Sequence, residues 1–295
     1  MPKTVHYGGQ AIIEGVMMRG QKNLAIAVRR PNGELKLITR RLPTAYTGTV
    51  RKIPFLRGVL VLAETLVIGI QALFQSANIS LEEEGKEEEI PGPVLWLTLL
   101  GSIALSVALF FLAPLFLTDL IYPHPESSLV SNIIEGFIRI GVFILYIGAM
   151  NLIPDIRRVF AYHGAEHKTV NAYENGAPLE PEAVQKYSTA HLRCGTSFLL
   201  VVLVISIIAF ALVGDPAMWI RILSRVVLLP VIAAIGYEVV QFGAAHADNR
   251  FIRTMLTPGL ALQAMTTRQP DDTQVEAAIS ALQGVIEADK AQESN

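Results

Sequence analysis

Residues 94–117, VLWLTLLGSIALSVALFFLAPLFL, carry no charge over 24 positions. A helix of that length, rising about 1.5 Å per residue, crosses a hydrocarbon core of about 30 Å. Three more apolar stretches follow, at 132–153, 196–214 and 218–243. Hydrophobic residues make up 52% of the chain and charged residues only 17%, so a polytopic membrane protein with a sizeable water-facing part is expected. A further apolar stretch, 54–77, carries Arg57 and Glu64 and reads as an interfacial or re-entrant helix.

Lysine and arginine set the orientation. Residues 1–57 hold eleven of them against two acids, the 118–131 connection holds none, and the 155–195 connection holds five. Four spans with both termini cytoplasmic satisfy this pattern. A fifth span at 54–77 would carry the five-cation connection outside. The expected location is the cell inner (cytoplasmic) membrane, with the lipid bilayer as partner. Residues 1–57 show no early apolar run, so insertion is expected to be directed by the first spanning segment. The single cysteine, Cys194, rules out an internal disulfide.

The expected fold class is therefore mainly α, with about four transmembrane helices, an interfacial or re-entrant helix and a small β-hairpin in the cytoplasmic part. Residues 1–53 form a cytoplasmic segment, in which two alternating runs over 24–41 flank Pro31-Asn32-Gly33 as a hairpin. The stretch 8–20, GGQAIIEGVMMRG, reads as a turn and a short buried strand. Residues 54–90 hold the interfacial helix and an acidic linker at 81–89. Residues 91–245 form the membrane domain with its connection at 155–195. Residues 246–295 form a cytoplasmic tail whose 271–289 stretch is amphipathic and packs on the cytoplasmic part. No aromatic residues interleave with the basic ones, so no nucleic-acid partner is expected. His124, His246 and Asp248 read as solvated surface.

The chemistry concentrates at 162–176, YHGAEHKTVNAYENG. His163, Glu166 and His167 spell His-x-x-Glu-His, the inverted zincin pattern. Pro154-Asp155 opens a helix there, and Asn175-Gly176 closes it. Four residues apart, both imidazoles share its inward, apolar stripe and can grip one metal ion. The bland alternative is a pair of interfacial histidines bonded to carbonyls, with Glu166 paired to a lysine. Zinc, or another divalent metal, needs further ligands. Glu238, near the cytoplasmic end of the fourth span, is placed first because an acid inside a span is costly and functional by default. His191 and Cys194 come next, then Glu174 and Glu14. Cys194 reads as packing or a ligand rather than as a nucleophile. The chemistry would be metal-assisted hydrolysis, with Glu166 moving the proton and Arg193 stabilising the developing oxyanion. A membrane-embedded peptide or a lipid-linked molecule is the expected substrate. A non-catalytic scaffold or assembly factor, and a lipid- or solute-handling membrane protein, are the alternatives.

The blocks GGQAIIEGVMMRG, PFLRGV, YHGAEHKTVNAYE, HLRCGTSF, GYEV and TPGLALQAMTTRQPDD resemble those of the YqhQ-like bacterial membrane proteins, a domain-of-unknown-function family. The resemblance runs nearly end to end and implies a multi-pass membrane protein and a metal-dependent enzyme. It carries the family's motif residues onto Gly8, Gly9, Gln10, Glu14, Gly15, Arg19, His163, Glu166, His167, His191, Arg193, Cys194 and Glu238.

Overall fold

A computed structural model describes residues 7–43, 53–82, 90–123, 127–214, 216–246 and 248–293. His124 and most of the acidic linker lie outside the described residues. The N-terminal part holds more strand than expected. Four strands, β1 (Gly8–Ile12), β2 (Gly15–Arg19), β3 (Asn23–Arg29) and β4 (Leu35–Arg41), form an antiparallel sheet in the order β1-β2-β3-β4. The hairpin expected over 24–41 is β3–β4, turning where Gly33 takes φ 88°. The stretch 8–20 is a second hairpin rather than one strand, with Ile12 opposite Gly15 and Glu14 at φ 53° in the turn.

Alternation along the strands sorts the side chains onto two faces. Val16, Met18, Ala25 and Ala27 face one core, which also contains Tyr162, Ala165, Val275, Leu282 and Val285. Met17, Leu24, Ile26 and Val28 face another, completed by Ile68, Ala72 and Ile79. The sheet is thus a middle layer. One cover is α1 (Leu56–Ser80); the other is formed by α5 (Pro154–Glu174) and α11 (Asp272–Glu293). The amphipathic C-terminal helix docks as expected, and it carries a specific clasp. The Asp289 carboxylate accepts from the backbone N–H groups of Gln21, Lys22 and Asn23, and from Asn23 Nδ2, at 2.8 to 3.2 Å. Hydrogen bonds to a buried charged group contribute about 1.5–3 kcal/mol each and are not additive. Asp289→Ala is therefore expected to destabilise the chain by about 3 kcal/mol. The check is a lower thermal midpoint together with faster hydrogen exchange at the amides of residues 21–23; unchanged exchange there would refute the clasp.

The apolar runs form α2 (Gly92–Val107), a π turn (Ala108–Leu112), α3 (Ala113–Ile121), α4 (Ser128–Met150) and, after the short α6 (Pro181–Val184), α7 (Gly195–Val213). Among the described residues, four helical stretches are long and apolar enough to cross a membrane: 92–121, 128–150, 195–213 and, in addition, 56–80. The expected fourth span, 218–243, is instead broken into α8 (Met218–Val227) and α9 (Leu229–Ala245), bent by 42° where Pro230 follows. Counting that pair as one span gives up to five. The packing of α1 differs from that of the other apolar helices: Gly58, near its start, lies against Ala234 and Tyr237 of α9, and its second half lies under the sheet.

A charged knot sits among the apolar helices. Glu135, 2% exposed, pairs with Arg139 on its own helix at 2.5 Å, as its spacing predicts. It also accepts from Arg225 of α8 at 2.8 and 3.0 Å. Arg139 Nε donates to the Phe110 carbonyl inside the π turn at 3.0 Å.

Candidate metal centre

Two features hold α5 in place. Pro154 starts it with Asp155 in its first turn, and Gly176, at φ 70°, lets the chain leave it. His163 and His167, one turn apart, bring their ring centroids to 4.3 Å. Two backbone segments cross this helix. Residues 185–194 are tied down because Lys168 Nζ donates to Gln185 O, and Asn171 Nδ2 to Ser188 O and Ala190 O. Residues 266–268 follow α10 (Arg250–Thr266) and are tied by Arg268 N–H to Phe160 O at 2.9 Å. Gln263 joins the two segments, accepting from His191 N–H and donating to its carbonyl, both at 2.8 Å.

Each segment offers one carbonyl to one histidine. Thr266 O lies 2.9 Å from His163 Nδ1, and Thr189 O lies 2.5 Å from His167 Nδ1. A carbonyl oxygen can only accept, so each Nδ1 carries a proton, and whenever a ring is neutral its Nε2 holds the lone pair. The bland reading of carbonyl-bonded histidines is thus half right, since it accounts for one nitrogen of each ring. The other nitrogens face a thiol. Cys194 Sγ sits 3.4 Å from His163 Nε2, and a ligand atom from each of His163, His167 and Cys194 lies within 4.8 Å of the others. Cys194 is held there as the N-cap of α7, its sulfur accepting from Thr196 N–H at 3.4 Å.

The electrostatics follow from this convergence. Burial acts most strongly on the Cys194 thiol and raises its pKa, but hydrogen bonds and charge from both imidazoles outweigh it and hold the thiol at about 4. Burial likewise opposes a charged His167, yet the Glu166 carboxylate and the thiolate raise it to about 9. His163 shifts up for the same reason, with Cys194 the main counterweight to burial. Two imidazoles and a thiolate with ligand atoms within 4.8 Å of one another are a donor set that suits zinc.

Glu166 Oε2 stands 3.4 Å from His167 Nε2, and the residue is 4% exposed. Lys168 does not pair with it; that ammonium goes to Gln185 O. The motif opens into a cavity of about 300 Å³, walled by Gly9 and Gln10 of β1, Val61 and Ile68 of α1, Arg19 and the loop at 191–195.

The structure separates the expected site residues. His163, Glu166, His167 and Cys194 come together. His191 lines the cavity, 5.5 Å from the His167 ring centroid, but its Nε2 is 3.7 Å from Glu174 Oε2 rather than in the trio. Arg193 also lines it and is ion-paired with Glu174, so the cation expected for an oxyanion is already engaged. Burial pushes the Glu174 carboxyl up, but His191 and Arg193 pull it down to about 2. Glu238, expected first as a ligand, is corrected. Its carboxylate is taken by the Arg57 guanidinium and by Phe55 N–H, and it lines no part of the cavity. Its half-buried carboxylate turns to the nearby guanidinium rather than to the motif. Glu14 points away as well, to Arg158 at 2.5 Å and Tyr162 at 3.3 Å.

Sequence reasoning missed the pairing of Arg19 with Glu64 at 2.7 Å, and the two carbonyls. The first had a signal: both are charges set among apolar neighbours. The carbonyls had none, since every residue has one.

With this geometry in hand, comparison with known proteins places the chain. A family model described as "Protein of unknown function (DUF1385)" matches residues 53–288. The chain belongs to this family. The matched span contains His163, His167, Cys194 and Glu166, while the four strands precede it. A Bacillus subtilis (strain 168) relative, described as "Uncharacterized protein YqhQ", is 35% identical over 303 residues, covering 98% of this chain and 95% of that protein. That likeness takes in the sheet as well as the family region. No solved structure matches the chain.

Proposed function

We propose that His163, His167 and Cys194 hold a divalent metal ion, zinc first, and that this DUF1385 protein is a metal-dependent hydrolase working at the cytoplasmic face of the bacterial inner membrane. One observation carries the reading: two Nε2 atoms and one thiolate converge beside a buried glutamate in an open cavity, with each Nδ1 anchored to a carbonyl. Carbonyl partners of this kind fix the tautomer and orientation of metal-binding histidines. Three protein ligands with an open side are the pattern of a catalytic rather than a structural zinc site.

The ion would supply Lewis-acid activation of water and of the attacked carbonyl or phosphoryl group. The chain's own residues do the rest. Glu166 is placed to take a proton at Oε2 and return it to the leaving group. The carbonyls of Thr189 and Thr266 keep the imidazoles from turning. Arg193, held by Glu174, forms part of the cavity wall. The inner face is supported by the eleven cations of residues 1–57 and the five of the 155–195 connection, and the sheet and α5 both pack against the C-terminal helix.

Protein purified in detergent without chelators is expected to hold about one zinc per chain by elemental analysis, and zinc should block alkylation of Cys194. His167→Ala and Cys194→Ser should each lose the metal. Glu166→Gln should keep it and yet fail to complement a deletion strain. A wild-type chain that neither carries zinc nor takes it up at micromolar concentration would sink the proposal. Full complementation by Glu166→Gln would favour a scaffold.

A further inference from the structure

The sheet has a free edge, and it opens beside the motif. Strand β1 pairs only with β2 among the described residues. The phase of its hydrogen bonds can be fixed. Arg29 N–H donates to Glu14 O at 2.8 Å, and Gly20 N–H to Asn23 O at 2.9 Å. Even-numbered residues of the β2 region therefore direct their polar groups to β3, and odd-numbered ones direct them to β1. Residues opposite each other in an antiparallel ladder share this phase. Gly15, Met17 and Arg19 thus bond with Ile12, Gln10 and Gly8, their partners in register. Gly9 and Ala11 are left with N–H and C=O turned outward, away from β2.

Gly9 is also the point of closest approach to the motif. A Cβ on Gly9 would stand 2.6 Å from Glu166 Cγ, so only glycine allows the strand and the glutamate to share that space. Gly8 and Gly9 are exposed, and a Cβ on Gly8 would meet nothing within 4 Å. Gly9, Glu166, His163, His167 and Cys194 all line the same cavity.

We propose that the substrate is an extended peptide that adds to β1 as a fifth strand, exchanging backbone hydrogen bonds with Gly9 and so laying its main chain beside Glu166. An outward N–H and C=O spaced along an edge strand are the complement of a peptide backbone, and edge addition is a general mode of peptide recognition. Neither a lipid headgroup nor a sugar offers that repeat. Alternate side chains of the added strand point to opposite faces. On the face covered by α1 they meet Met17, Val61 and Ile68, with Gln10, Thr65 and Arg19 beside them, a wall that admits an apolar side chain. The role as substrate rests on the hydrolase reading above; the pairing itself does not.

The probe is a fluorescein-labelled octapeptide of alternating leucine and alanine closed by two lysines, titrated by anisotropy against the full chain in detergent. Wild-type protein and the His167→Ala variant are both used. N-methylation removes one donor from the peptide at a time, so no change in the protein's own folding intervenes. At about 1.4 kcal/mol per lost bond, methylation at every second residue should weaken binding by about tenfold, with intervening positions nearly unaffected. The alternation should appear in both proteins. A photoreactive residue in the peptide should label β1 or α1.

Absent binding, uniform sensitivity to methylation, or labelling confined to β4 would overturn the proposal. The two readings fail separately. A zinc-free wild-type chain with alternation intact removes the metal and keeps the edge. One zinc per chain without alternation removes the edge and keeps the metal.

Discussion

Glu135→Ala is expected to lower the stability of the packed apolar helices by about 3–5 kcal/mol, the cost of leaving buried charge uncompensated. Glu135 is the acid to which Arg139 and Arg225 both turn, and the three are 2%, 3% and 5% exposed. Arg221 is a further cation, 3.6 Å from the same carboxylate and 3.9 Å from Asp119 at the end of α3. Removing the carboxylate leaves guanidinium groups facing one another among apolar helices, where neither water nor another buried acid can take its place. The knot also spans α4, α8 and, through the Phe110 carbonyl, the π turn, so its loss loosens the packing of three segments at once. Thermal unfolding in detergent, followed by helical circular dichroism, should show a much lower midpoint. The triple change Glu135→Leu, Arg139→Leu, Arg225→Leu should recover most of the loss, because a buried ion cluster replaced whole by apolar side chains is often neutral. A single variant as stable as wild type would mean that the arginines reach water.

How far such relations could be read beforehand depends on their range. Glu135 and Arg139 were visible as a pair because a helix fixes their spacing. The motif helix was visible for the same reason: Pro154, Asn175 and Gly176 mark its ends, and its apolar stripe sets which way the histidines face. The trio of His163, His167 and Cys194 was visible only in part. Spacing along α5 offers His163 and His167, but Cys194 arrives on a loop 27 residues later than His167, carried by backbone bonds to Asn171 and Gln263 that no local pattern reveals. Glu238 ranks above it in the sequence because an acid inside an apolar helix is costly and reads as functional. Arg57 sits in an equally apolar helix, and two opposite charges in apolar helices are better matched to each other than to a metal. The β1–β2 hairpin was hidden for a different reason. Val16, Met17 and Met18 are all buried because β2 is covered on both faces, so the polar–apolar alternation that announces a strand is missing.

Gly164 is where fold and site depend on each other most directly, and Gly164→Val is expected to weaken zinc binding by about ten- to a hundredfold without touching a ligand. The glycine lies between the two motif histidines, on the side of α5 where residues 266–268 cross. A Cβ there would run into the Arg268 carbonyl oxygen, and would come within 3.1 Å of its carbon and 3.3 Å of Thr189 Cγ2. The backbone of Arg268 cannot step aside cheaply, since its N–H is bonded to Phe160 O. What must yield is the crossing segment, and with it Thr266 O, which holds His163 Nδ1. Thr189, whose carbonyl holds His167, is pressed from the same side. Overpacking of this kind costs about 1–3 kcal/mol in stability as well. The measurement is competition for zinc with a chromophoric chelator, beside the thermal midpoint. Gly148→Val on α4 serves as the control, because a Cβ there meets nothing within 4 Å. Should Gly164→Val lose stability but bind zinc as wild type does, the carbonyls would be packing partners of the histidines and not the groups that aim them.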